Sequence, residues 1–300
     1  MNVCKLWHAI WCAKVTIVDL SNGLNCSADA LLKFKNLKTL ILGKKSEIYP
    51  SINSLTILKT LILDENIHIK DKDLSPLTAL TSLSLERNTQ ITIQSLKYLT
   101  NLSNLSLRAN ANITDFKCLT RITNLNLACT KIDDDSLKYL TNIKKLKLVT
   151  NLFVSDGSLM YLTNITRLNI AGCENVTDIS IKHLVKITRL SINKNKLTYN
   201  SLKYLTNLVT MRMCGDNVEN RDVSQLTNLK VLKLYWANLV TSETIQHLTG
   251  LESLLLHGMR YISSKDICEL RNLRKLCVGA CYSINEDDIK LPNLTEFSTL

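Results

Sequence analysis

Cys4, His8 and Cys12 recur at intervals of four, a spacing that lines up three metal-binding side chains on one face of a helix. A structural zinc site takes four ligands in paired spacings from separate elements, so a buried helix face is the expected role of this trio. The five histidines, His8, His68, His183, His247 and His257, share no motif. Neither dinucleotide and triphosphate loops nor His-Glu-x-x-His or Gly-x-Ser-x-Gly sequences occur. Asp133, Asp134 and Asp135 form an acidic run at the expected start of a helix, where carboxylates favour the helix dipole. Cys277 and Cys281 are also four apart, but one should face outward from a strand and the other inward. These residues predict no catalysis, no cofactor and no metal.

Charge is the more informative chemistry. The chain has 300 residues, with 37 Lys and Arg against 26 Asp and Glu, a net charge of +11. Such a balance suits an acidic partner, although charge speaks to association and not to fold. Ten cysteines amount to about 3% of the chain, far below the roughly 8–10% of disulfide scaffolds. The N-terminus lacks a basic region followed by an uninterrupted apolar run, and no apolar stretch approaches the ~18 residues of a membrane span. Free thiols in a reducing intracellular compartment, cytoplasmic or nuclear, are expected, with no membrane association. Only 8 Gly and 3 Pro exclude collagen, low-complexity disorder and a Gly/Pro-rich barrel.

Where the charges sit depends on the elements that carry them, and a repeat of 20 to 22 residues sets those elements. The frame apolar-x-x-apolar-x-apolar occurs 12 times, from Leu37/Leu40/Leu42 to Leu273/Leu276/Val278. All 36 frame positions are apolar, where composition alone predicts about 16. Large apolar residues stand three and six before each frame, as Leu162 and Leu159 do before Ile165. A small polar residue stands three after it: Asn66, Asn88, Asn110, Thr130, Asn151, Cys173, Asn195 and Asp216. The frame predicts one short strand per unit. The Asn column turns inward to satisfy backbone groups where the strand bends away. It weakens at Ala237 and Met259 and resumes at Cys281.

Thr92, Thr114, Asp133, Ser155, Thr177 and Thr241 are placed to cap a short helix. Ser-Leu-Lys-Tyr-Leu-Thr, at 95–100, 136–141 and 201–206, reads as that helix of one or two turns, α or 3-10. Gly43, Gly172, Gly215, Gly258 and Gly279 fall just after strands, where a tight bend would need them. The pattern resembles the leucine-rich repeat, Leu-x-x-Leu-x-Leu-x-x-Asn/Cys-x-Leu. The resemblance covers 15–300 and implies an α/β solenoid (horseshoe) of about 13–14 units, with a parallel concave sheet and short convex helices. No unit could bury its inner face alone.

Val15-Thr-Ile-Val-Asp-Leu20 fits the register one period before Leu37, as a degenerate first strand. Leu291, Leu294 and Phe297 start a last copy in which Thr299 takes the final frame position. That last strand would be a nearly bare edge, compatible with a monomer or an edge-paired dimer. Residues 1–14 read as a capping helix that lays Leu6, Trp7, Ile10 and Trp11 on the first coil. Val3-Cys4-Lys5-Leu6-Trp7 resembles the final helix of an F-box, in a family where leucine-rich repeats follow; that family's earlier helices are absent here. The resemblance implies a cullin-ligase adaptor as partner and a substrate-receptor role for the ubiquitin ligase.

Strand positions that alternate with the frame face outward on the concave side. From the unit at Leu102 to that at Leu273, the basic residues among them are Arg108, Lys144, Lys145, Lys147, Arg167, Arg189, Lys194, Arg212, Lys230, Lys233, Arg274 and Lys275; Glu252 is the one acid. The units at Leu58 and Leu80 instead place Asp64, Glu65 and Glu86 there, with Arg87. Tyr235 and Trp236 follow their strand near Lys233, Leu255 and His257, and exposed aromatics beside arginine and lysine are the composition of binding hot spots. The predicted partner site is this basic set, leaving aside Lys144, Lys230 and Arg274, together with Tyr235, Trp236 and His257. Its expected ligand is an acidic or phosphorylated protein segment. Nucleic acid is the alternative, although the interleaved stacking aromatics of single-strand binders are missing. A free-standing scaffold or inhibitor is the general version of the same reading.

Overall fold

The computed structural model describes residues 12–49, 51–215 and 223–299. The chain divides into two compact units, Met1–Ile132 and Asp133–Leu300. In the first, β1 (Ile17–Leu20), β3 (Thr39–Leu42), β5 (Thr60–Ile62), β6 (Ser82–Ser84), β7 (Asn104–Ser106) and β8 (Asn124–Asn126) pair in that order, all parallel. The two-residue strands β2 (Cys26–Ser27) and β4 (Ile48–Tyr49) make a separate small ladder. In the second unit, eight strands pair in chain order, again all parallel. They are β9 (Lys145–Lys147), β10 (Arg167–Asn169), β11 (Arg189–Asn193), β12 (Thr210–Cys214), β13 (Val231–Tyr235), β14 (Ser253–His257), β15 (Lys275–Gly279) and β16 (Glu296–Thr299). One strand per repeat, stacked in sequence with short helices between, is the leucine-rich repeat solenoid fold.

Every frame residue is buried, which is why the frame tolerates no polar substitution along its length. Burying a Leu or Ile side chain contributes about 1.5–3 kcal/mol, and here each rests on the coils before and after it. The degenerate first strand holds its register, with Val18 opposite Leu40 and Leu20 opposite Leu42. At the other end Phe297 stands opposite Leu276.

The helical segments lie at the short end of the expected one or two turns. Ile93–Leu96 and Asp134–Leu137 are single turns, so Ser-Leu-Lys-Tyr-Leu-Thr contributes only its first two residues to the helix. The chain must regain the next strand within its period, and the Lys-Tyr pair already turns back. Ile52–Ser54 and Glu286–Asp288 are 3-10 turns. Thr92, Asp133, Ser155 and Thr177 cap their helices as expected. Thr114 caps nothing, because its unit has no helix. That unit is the shortest, 20 residues, and fully buried Phe116 fills the inner volume that a helix leucine fills elsewhere. Thr241 stands at the N-cap of Ser242–His247 without a side-chain cap bond.

Three side-chain ladders join successive coils. Asn66, Asn88 and Asn110 each donate to two carbonyls of the preceding coil and accept two backbone N–H groups of their own. In the second unit the Cys173 thiol donates to the Leu148 carbonyl, and Asn195 donates to the carbonyls of Ile170 and Cys173. The asparagine just before the frame makes a second ladder: Asn164, Asn207, Asn228 and Asn272 donate to the carbonyls of Thr141, Val185, Thr206 and Thr249. This accounts for the recurring Thr-Asn-Leu. The third ladder is acidic. Asp134 accepts from the Ser155 amide and hydroxyl and the Ser158 hydroxyl; Asp156 does the same for Thr177 and Ser180, and Asp178 for Thr198 and Ser201. Of the run 133–135, then, Asp133 is the helix cap while Asp134 belongs to the next coil.

Two of the five predicted turn glycines, Gly43 and Gly279, do not have positive φ. A left-handed residue does precede the Asn column in successive coils, as Gly172, Gly215 and Gly258. The same conformation is held by Thr150, Lys194, Trp236 and Ala280, so the turn uses it without requiring glycine. Cys12–Lys14 are helical and Cys12 is buried. The rest of the predicted capping helix, with the F-box-like segment and Cys4 and His8, lies outside the described residues, as does Asp216 of the Asn column. Among the described residues no helix is long and apolar enough to cross a membrane.

Candidate partner-binding surface

Register decides which cations meet. Lys145, Arg167 and Arg189 are partners on β9, β10 and β11, and Thr210 continues their row on β12. Neighbouring strands lie about 4.8 Å apart, so the three form a column of like charge, and all three are exposed. Lys147 takes the second outward position of β9, and Lys144 immediately precedes that strand; both are exposed. Among the described residues none of these five cations forms an ion pair.

The other outward cations are less free. Lys275 pairs with Glu296 at 2.5 Å and Lys230 with Glu252 at 3.4 Å. In the first unit, Arg108 lies 3.8 Å from Glu86. There Asp64 is half-buried, accepting from the Ser84 hydroxyl and the Glu86 amide, and burial foremost raises its carboxyl above the ordinary aspartate value. Lys194 is exposed in a left-handed turn, and Lys233 is half-buried opposite Arg212.

A second feature of the same face is an aromatic corner. The Arg212 guanidinium lies over the Tyr235 ring, 4.7 Å from its centre. Tyr235 and His257 are register partners with tilted rings 6.2 Å apart. His257 meets Trp236 edge to face, at 5.3 Å and 85°. Tyr235 was expected to be an open contact; it is half-buried with Arg212 on its ring, so its role is to hold the guanidinium. Trp236 is the open ring, 49% exposed. Its indole lies against Gly258, where a Cβ would fall 2.3 Å from the ring. The His257 Nδ1 is enclosed without a hydrogen-bond partner, a loss of about 1–3 kcal/mol, so the imidazole acts as a wedge. Gly258 escaped sequence reading as part of this corner; its signal was a glycine one period after an aromatic in the same turn position.

Burial pushes the Cys173 thiol up to about 11, leaving it protonated and unreactive at neutral pH. Cys118 is likewise raised by burial. Among the described residues no three His, Cys, Asp or Glu side chains converge as a metal site would require.

No family model matches the chain, and no curated protein matches it. Solved structures do. A leucine-rich repeat protein of Leptospira interrogans aligns with a TM-score of 0.54 and 20% identity, over 96% of this chain and 95% of that one. The mouse RP105/MD-1 complex gives 0.60 at 15% identity, over 90% of this chain and 58% of the other. A TLR13–ssRNA13 complex gives 0.57 at 16%, over 91% and 52%. The chain thus spans little more than half of the latter two. At such identities the likeness is one of fold.

Proposed function

We propose that the second unit binds an acidic or phosphorylated protein segment on the outward face of its sheet and catalyses no reaction itself. The column Lys145, Arg167, Arg189, flanked by Lys147, carries this reading. Its like charges repel one another in the free protein, and Thr210, Val231 and Ser253 fill the same row on later strands, so the fold does not need them. Carboxylates or phosphates would relieve the repulsion, and arginine binds both through paired hydrogen bonds. That a similar fold was solved with single-stranded RNA supports a nucleic-acid reading. Against it, among the described outward strand and turn positions of this face Trp236 is the one open stacking ring, where single-strand binders offer a succession. A cullin-ligase substrate receptor would be the narrower version, and it depends on the segment 1–14.

The test is titration of labelled polyglutamate and of oligouridine against the wild type and a Lys145→Glu/Arg167→Glu/Arg189→Glu variant. Polyglutamate binding that disappears in the variant is the expected result. Unchanged binding would remove the column as the site, and tighter oligouridine binding would hand the face to nucleic acid.

A further inference from the structure

We infer that Trp236 is a platform for an aromatic side chain carried by the same acidic partner. This rests on the anion-binding column proposed above, but it stands on different residues and fails separately.

The left-handed turn position of the second unit holds Thr150, Gly172, Lys194, Gly215, Gly258 and Ala280 in other coils. A bulky indole, like the β-branched Thr150, is poorly suited to that backbone, and Trp236 is nonetheless held firmly. One side rests on Gly258, which must lack a side chain for the ring to lie there. The His257 edge fixes its angle. In the preceding coil the matching position is Gly215, which puts no side chain over the indole. The result is a rigid π-surface, half open to solvent, on the same sheet as the cations.

A tryptophan face can accept a cation or another ring. The neighbouring positive charges decide between them. Arg212 is stacked on Tyr235, Lys233 stands opposite Arg212, and Lys194 holds the turn two coils earlier. A cationic guest would add to the positive charge already on this face. A phenyl or phenol ring flanked by carboxylates gains the stacking and satisfies the charges.

Register also sets a spacing. Arg189 aligns with Thr210 and Thr210 with Val231, so Trp236 lies two strands across and five residues along from Arg189. That is about 10 Å by 16 Å, or roughly 19 Å on the diagonal. An extended peptide covers it in about six residues. The partner segment is therefore an acidic run with an aromatic residue about six positions away.

The probes are a random Glu/Tyr copolymer and a Glu/Ala copolymer of matched length and charge, titrated against wild type, Trp236→Ala, Gly258→Ala and Arg167→Glu/Arg189→Glu. The wild type should prefer Glu/Tyr by about tenfold. Trp236→Ala should erase that preference while leaving Glu/Ala binding intact, and Gly258→Ala, which pushes the ring off its seat, should reduce it. Equal binding of the two copolymers to the wild type, or a preference that survives in Trp236→Ala, overturns the platform and leaves the column standing. Binding of Glu/Ala that is absent from the wild type, or unaffected by charge reversal, overturns the column and the platform with it. Thermal melting of each variant separates a lost contact from a lost fold.

Discussion

Replacing Arg167 by glutamine should make the second unit more stable, although it removes a residue of the proposed binding site. Arg167 stands between Lys145 and Arg189, one strand away on each side. Side chains rooted about 4.8 Å apart can splay their charges to about 7 Å. Two unit charges at that distance in water repel by about 0.6 kcal/mol, so removing the middle one relieves about 1.2 kcal/mol before screening. At about 0.01 M salt the screening length is near 30 Å and most of this survives; at about 1 M it is near 3 Å and roughly a tenth remains. No ion pair is lost in exchange. For a unit of this size 1 kcal/mol moves the melting temperature by roughly 2–4 °C. The expected result is therefore a rise of about 2–4 °C at low salt that vanishes at high salt, with weaker polyglutamate binding throughout. Differential scanning fluorimetry across a salt series measures the first, fluorescence anisotropy the second. A fall in melting temperature, or a gain indifferent to salt, would show that the column is not electrostatically crowded, and its physical motive for binding anions would be gone.

Asp156→Ala should destabilise the protein by about 2–4 kcal/mol in urea unfolding, because it strands the buried Ser180 hydroxyl and the Thr177 amide. Asp156→Asn, which keeps an acceptor oxygen, should cost about half as much, and equal losses would refute the ladder geometry. Burial pushes the Cys173 thiol up to about 11 and so keeps it protonated at pH 8; iodoacetamide should label exposed Cys129 promptly and Cys173 only at the rate of local opening, as peptide mass spectrometry would show.

The inward half of this molecule is legible in its sequence because burial allows one class of residue at a fixed interval. The frame and the Asn column follow from position alone. What stayed hidden depends on a neighbouring coil. Asp134, Asp156 and Asp178 look like helix-start carboxylates until the adjacent Ser or Thr is placed beside them. Lys275 looked free because its partner Glu296 lies in the degenerate copy that ends its frame on Thr299, and Arg108 because Glu86 belongs to the preceding unit. Tyr235 sits at an outward position by alternation, yet Arg212 from the preceding strand covers it. The helix expected after Thr114 failed on length: a 20-residue unit has no room for it.

Outward positions of this sheet contribute little to the fold, since backbone hydrogen bonds hold the strands together and the core lies on the other side. Ionic pairing across coils is geometrically available there, as Lys230 with Glu252 and Lys275 with Glu296 demonstrate. The unpaired state of Lys145, Arg167 and Arg189 is thus no consequence of the repeat. Nor does the turn call for an indole at Trp236, with a neighbouring glycine cleared for it and an imidazole nitrogen left without a partner to wedge it. Each of these features works against local stability, and all of them share one face of one unit. Where several local rules are broken together, the compensation is expected from function, and at exposed positions it must come from outside the chain. A ligand that neutralises the column and covers the indole supplies both compensations at once, which is why a single acidic segment carrying an aromatic residue accounts for the face better than two separate ligands would.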